Sequence, residues 1–273
     1  MWVDRMTRRF CVTFSGKRFI MQKPLLEHLI ELRRRLIYAL LALGLGVGIC
    51  YPLSPTLFQF LTEPLWHAMG EEEGRRLIYT GLTEAFLTYL KIAFFGGFLL
   101  TFPFILWQLW LFVGPGLYAH ERKAIWPFLL ASPLLFLMGA SLAYYVVCPW
   151  AWQFFLSFEM PASSTGLSLQ LEARMGEYLS LMIKLIIAFG LCFQLPLLIL
   201  GLSHLGVLSL ESLERKRKYA FLSIVVVAAI ITPPDIISPL SLIIPLYALY
   251  EISIGLVKIS LKRKGKRKGY SSC

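Results

Sequence analysis

Phe112-Val113-Gly114-Pro115-Gly116-Leu117-Tyr118-Ala119-His120-Glu121-Arg122-Lys123 is a short polar break between two long apolar runs. Gly114-Pro115-Gly116 cannot continue a regular helix, so the chain turns here. The flanking runs, 85–112 and 125–150, both exceed the roughly 18 apolar residues that mark a membrane-crossing helix. The break therefore joins two spans, and the rest of the chain is sorted by asking which side of the membrane each polar segment occupies.

Composition agrees with that class. The chain has 273 residues, of which 57% are hydrophobic and 16% charged, with a mean hydropathy of +0.67 and a formal charge of +11. Unpaired backbone groups in lipid cost several kcal/mol each, so a chain this apolar is expected to be an all-α polytopic membrane protein. The five cysteines are scattered without a Cys-x-x-Cys, and the four histidines lack His-Glu-x-x-His spacing. Neither a disulfide framework nor a metal site is indicated, and no cofactor is expected.

Six spans are read along the chain: 36–51, 85–112, 125–150, 178–205, 219–231 and 240–257. An amphipathic stretch, 25–36, leads into the first, with Leu25, Leu29, Leu32 and Leu36 on one stripe. Pro52 and Pro55 end that span, and a polar segment of about 30 residues follows. Pro127 and Pro133 are expected to kink span three. Span five is short: thirteen residues rise only about 20 Å against a hydrocarbon core near 30 Å. Three segments result: 1–22 as a basic extension, with Met21 an alternative start; 23–258 as the membrane domain; and 259–273 as a basic tail.

Six spans put both termini on one side. Lysine and arginine number nine up to Arg35, two after Glu121, four at 215–218 and seven from Lys258 onward, against only Arg75, Arg76 and Arg174 in the opposite loops. That asymmetry places both termini and the Glu121 loop in the cytoplasm. Basic residues that follow topology are matched by anionic lipid, so nucleic acid is not expected as a partner.

On this cationic face the carboxylates are the informative minority. Glu31 and Glu121 sit at helix–water boundaries on the same side. Each has an ordinary explanation as a surface ion pair, Glu31 with Arg35 at i,i+4 and Glu121 with Arg122 or Lys123. Each is also suited to receive a guanidinium, because a carboxylate matches the arginine fork. Gln194 lies near the middle of span four, either as an interhelical hydrogen bond or as a functional polar patch. Lys91 and Lys184 are several residues inside span ends and can snorkel. Glu251 is an intramembrane carboxylate or an interfacial one near Lys258. Asp235, after two prolines, reads as a turn or cap residue. With no nucleophile–base pair, phosphate loop or metal spacing, no enzyme is indicated. A secondary transporter using Glu251 and a structural assembly subunit stay open as alternatives.

Four motifs then carry a resemblance. His28-Leu29-Ile30-Glu31-Leu32-Arg33-Arg34-Arg35-Leu36, the Phe112–Lys123 stretch, Phe193-Gln194-Leu195-Pro196 and Thr232-Pro233-Pro234-Asp235 resemble, in order and spacing, those of the twin-arginine translocase subunit TatC family. The resemblance covers about 23–258. It implies six tilted helices forming a concave wall with short helices five and six, in the bacterial inner membrane. It implies a non-enzymatic receptor for Arg-Arg signal peptides of folded precursors. TatA- and TatB-type single-span partners, self-association and the proton-motive force come with it. The positions implied for signal-peptide binding are Glu31, Glu121, Arg33, Phe112, Pro115, Tyr118 and His120. Pro64 matches a functional proline of the first outer loop, Asp235 lies in the last motif, and Gln194 and Glu251 are the intramembrane polar positions. Many family members carry Glu where this chain has Gln194, so a titrating carboxylate is not implied there.

Overall fold

The computed structural model describes residues 25–70, 77–113, 125–159, 171–204, 208–231 and 237–269. Ten α-helices occupy them: α1 (Leu25–Cys50), α2 (Ser54–Met69), α3 (Glu84–Val113), α4 (Ile125–Leu142), α5 (Cys148–Leu156), α6 (Met175–Cys192), α7 (Leu195–His204), α8 (Leu210–Arg215), α9 (Arg217–Ile231) and α10 (Ile237–Gly269). A π-helical turn, Ala143–Val147, welds α4 to α5. Among the described residues the only β pairing is one bridge between Ile78 and Arg174.

Four stretches are long and apolar enough to cross a membrane: Glu84–Phe112, Leu130–Leu156, Met175–Ser203 and Leu242–Lys262. A fifth is gained if α1 and α2, bent by 84° at the break between them, count as one. α9, at 15 residues, rises only about 22 Å and falls short of a span by length. The thirteen-residue run seen in the sequence is thus lengthened at its basic end, where Arg217 and Lys218 join the helix.

Two other differences from the sequence reading have local causes. The amphipathic stretch and the first span are one continuous 26-residue helix, because nothing between Leu25 and Cys50 breaks it. Its leucine stripe faces outward, with Leu29, Leu32 and Leu36 all exposed. The polar segment after Pro52 contains α2, a full helix, which starts with Pro55 in its first turn and ends on Gly70 at φ 74°, a conformation that suits glycine. Leu61, Leu65 and Met69, spaced four apart, bury its inner face.

α1 and α3 pack antiparallel along most of their length, and glycine sets how closely. A Cβ on Gly97 would lie 2.6 Å from the backbone nitrogen of Val47, and one on Gly46 2.8 Å from the Gly97 oxygen. Such close backbone approach through small residues is the usual way helices associate in lipid. The starts of α3 and α6 are pinned together at one end. Glu84, in the first turn of α3, accepts from the backbone N–H of Thr80 at 2.9 Å and of Gly176 at 3.3 Å, and pairs with Arg174 at 3.5 Å. A carboxylate at that position also meets the positive end of the helix dipole. α6 runs through the centre, with Leu179, Met182 and Phe189 fully buried.

Candidate functional site

At the end where α1 begins and α3 finishes, three pairs of side chains meet. The Arg35 guanidinium donates from Nε at 3.2 Å and from Nη2 at 2.8 Å to the same Glu31 oxygen, Oε1. Its third nitrogen, Nη1, donates to Oε1 of Gln108 on α3 at 3.1 Å. One turn further toward the helix ends, the His28 ring stacks on Phe112 with centroids 4.3 Å apart. The antiparallel register makes this possible, since it brings the polar start of α1 against the last turns of α3. Arg35 and Glu31 are mostly buried as side chains, at 17% and 16% exposure, whereas Arg33 points to the exposed face. The ion pair expected at i,i+4 is therefore present. What the sequence does not announce is Gln108, 73 residues away, which turns a local pair into a clamp across two helices. Glu121, Pro115, Tyr118 and His120, together with Asp235, lie outside the described residues.

Gln194 sits at the break between α6 and α7, two residues before Pro196. Proline at that position has no N–H for the Cys192 carbonyl and its ring crowds it, so the helix cannot run through. The turn is closed instead by the Gln194 N–H on the Leu191 carbonyl at 2.9 Å. The side-chain amide then uses both of its ends on one residue of α4. Ser132 Oγ donates to Gln194 Oε1 at 2.5 Å, and Gln194 Nε2 donates to the Ser132 carbonyl at 2.9 Å. Both residues are buried, at 8% and 2% exposure. A neutral amide can donate and accept at once, so the position is satisfied without a charge.

Glu251 on α10 pairs with Arg217 at the start of α9, 3.2 Å apart, and accepts from the Tyr247 hydroxyl at 3.1 Å. Both charged side chains stay partly exposed. Glu251 thus belongs to the basic 215–218 end of the bundle, beside the Tyr250 hydroxyl that caps the Leu213 carbonyl of α8 at 2.9 Å.

Pro64 lies inside α2 and is buried. Lacking an N–H, it leaves the Phe60 carbonyl, four residues back, without its helical donor. The Tyr144 hydroxyl of the π turn donates to that oxygen at 2.7 Å, and the Tyr144 ring stacks on Phe60 at 4.5 Å with the planes 3° apart. At the next residue, the Tyr178 hydroxyl of α6 donates to the Leu61 carbonyl at 2.7 Å. The proline is matched by a tyrosine on a neighbouring element. Sequence inspection alone had no means of pairing the two.

A multi-helix membrane scaffold, several of whose spans are broken at proline and tied by side-chain hydrogen bonds, with a carboxylate–guanidinium clamp at one end, is the construction of a membrane protein that recognises or transports. Comparison with known proteins narrows the class. The family model described as Sec-independent protein translocase protein (TatC) matches residues 27–245, and the chain belongs to that family. It is 49% identical over 231 residues to the Sec-independent protein translocase protein TatC of Magnetococcus marinus, covering 85% of this chain and 82% of that one. Against the protein of the same name from Escherichia coli strain K12 the identity is 35% over 233 residues, 85% and 87% of the two chains. A crystal structure of the twin-arginine translocase receptor TatC superposes with a TM-score of 0.75 at 37% identity, covering 86% of this chain and 99% of that one. The family is a translocase component and not an enzyme, and this chain is a multi-pass membrane protein of that system.

Proposed function

We propose that this chain is the receptor and core subunit of a bacterial twin-arginine translocation system. It sits in the cytoplasmic membrane with six spans and a concave wall, both termini facing the cytoplasm. α9 serves as a short fifth span, and the bilayer adapts to it by thinning locally at modest cost. The chain binds the Arg-Arg signal peptides of folded precursors and nucleates the translocation site with TatA- and TatB-type single-span subunits, driven by the proton-motive force.

The observation that supports this most directly is the Glu31 carboxylate, set at the α1–α3 junction and already accepting a guanidinium from Arg35. That contact is the chemistry the receptor needs, since two charge-assisted N–H groups converge on one carboxylate. An incoming arginine of the signal shares or displaces Arg35, while Gln108 holds Arg35 when it moves aside. Glu121 supplies the second carboxylate, and Phe112, Pro115, Tyr118, His120 and Arg33 take part in signal-peptide binding. Arginine is preferred over lysine because the planar fork, and not the charge alone, is read.

The test is site-specific photocrosslinking from positions beside Glu31 and Glu121 to Arg-Arg and Lys-Lys signal peptides. The expected result is labelling by the Arg-Arg peptide only, lost in Glu31→Ala and in Glu121→Ala while both variants still insert. Undiminished crosslinking in both variants counts decisively against the assignment.

A further inference from the structure

Two lysines inside the spans have no role in the site just described. Lys91 lies two turns into α3 and Lys184 about two and a half turns into α6, roughly 10 and 13 Å from helix starts that the Glu84 contacts hold at the same end. Ser180 and Lys184 are i,i+4 on one face of α6, and Lys91 Nζ donates across to Ser180 Oγ at 3.1 Å. Lys91, Ser180 and Lys184 all line one groove between α3 and α6. Lys91 reaches across to the neighbouring helix while its side chain stays exposed.

Among the described residues no ion pair balances the charges there. Two carboxylates at that end are already engaged, Glu84 with Arg174 and three backbone N–H groups, and Glu177 with Arg174 at 2.8 Å; Glu172 lies nearby, exposed, and makes no ion pair with either lysine. Among the described residues neither lysine has an ion-pair partner. Two like charges brought together at membrane depth call for an anion. Below them runs an open apolar groove of roughly 680 Å³, walled by Leu43, Phe94, Phe98, Ile183 and Ile187. One anionic head above a long apolar channel is the shape and charge pattern of an acidic phospholipid.

We propose that the α3–α6 seam binds one anionic phospholipid from the leaflet at the Glu84 end. Its phosphate sits between Lys91 and Lys184 with Ser180 as a hydroxyl donor, and one acyl chain lies along Phe94, Phe98 and Ile187. The lipid neutralises the lysine pair and fills the groove between two spans, so it stabilises the bundle where α1, α3 and α6 meet. The proposal does not depend on signal-peptide recognition at the opposite end of α3.

The experiment is native mass spectrometry of the detergent-purified full chain with phosphatidylglycerol or phosphatidylcholine of the same acyl chains. The wild type is expected to retain one phosphatidylglycerol, at least tenfold more strongly than phosphatidylcholine. Each lysine neutralised as Lys91→Gln or Lys184→Gln lowers retention about fivefold, and the Lys91→Arg/Lys184→Arg chain keeps it. Equal retention of the two lipids by wild type overturns the proposal without recourse to any variant. So does undiminished phosphatidylglycerol retention by the Lys91→Gln/Lys184→Gln chain, which places the lipid elsewhere among the basic residues. A photoreactive residue at Ile183 that labels a partner helix in membranes, and no lipid, assigns the groove to protein and also overturns it.

Discussion

The Tyr144 hydroxyl is present to satisfy a carbonyl that Pro64 leaves without its donor, and that dependence can be measured. In wild type, Tyr144→Phe keeps the ring stacked on Phe60 but removes the donor 2.7 Å from the Phe60 oxygen. A part-buried carbonyl left without a partner costs about 1–3 kcal/mol. In a Pro64→Ala background, residue 64 regains an N–H that can close the ordinary i→i−4 bond to the same oxygen. Tyr144→Phe should then cost only the small remaining contact with Glu63, whose Oε2 lies 3.3 Å from the hydroxyl. The two substitutions are expected to couple by about 1 kcal/mol, with Tyr144→Phe the less damaging in the Pro64→Ala chain. The assay is reversible unfolding of the four chains in mixed micelles, read by tryptophan fluorescence, with the coupling taken from the cycle. Distant independent sites add to within about 0.3–0.5 kcal/mol. If Tyr144→Phe costs the same in both backgrounds within that margin, the hydroxyl is not replacing the proline's missing donor.

Two further outcomes follow from the other contacts. Ser132→Ala removes the donor to Gln194 Oε1 and should destabilise the fold by about 0.6–1.7 kcal/mol, the range for interhelical hydrogen bonds in membranes. Gln194→Leu in the same chain should then cost less than it does alone, and strict additivity in the same unfolding assay would dissolve the lock. Glu251→Gln breaks a partly exposed ion pair and should change stability by no more than about 1 kcal/mol, leaving signal-peptide crosslinking intact. A large loss of solute flux in Glu251→Gln, with crosslinking unaffected, would instead favour a transporter that uses this carboxylate.

Much of the site was legible before any coordinates, though unevenly. The Glu31–Arg35 pair is an i,i+4 contact and so follows from helix geometry alone. Gln194 was recognisable as a polar group in need of a partner, but not as the partner of Ser132, 62 residues away. The position of Glu251 in the sequence is compatible with an intramembrane or an interfacial role, and its pairing with Arg217 fits the interfacial one. Helix α2 is hidden in the sequence because the acidic Glu71-Glu72-Glu73 stretch that follows makes the whole segment after Pro52 look polar. Its period-four leucines, Leu57, Leu61 and Leu65, were the signal that would have found it. In the third span the sequence points to kinks at Pro127 and Pro133, and the structure adds a π turn at Ala143–Val147, just before Pro149.

The amino-acid sequence by itself determined that this protein is a helical membrane protein, and where most of its helices lie. In lipid each backbone N–H and C=O must be paired within its own segment, so an apolar run of sufficient length has one outcome. It also determined the family, because the ordered motifs around Glu31, Phe112 and Gln194 survive as strings of residues. Only the tertiary structure decided which helices touch and what each polar group meets. Gly97 against Val47, Arg35 against Gln108, Tyr144 against the Phe60 carbonyl and Lys91 against Ser180 all join residues 50 or more positions apart. Such pairs depend on packing distance and register, which arise when all the helices are assembled, and no local pattern in the chain encodes them.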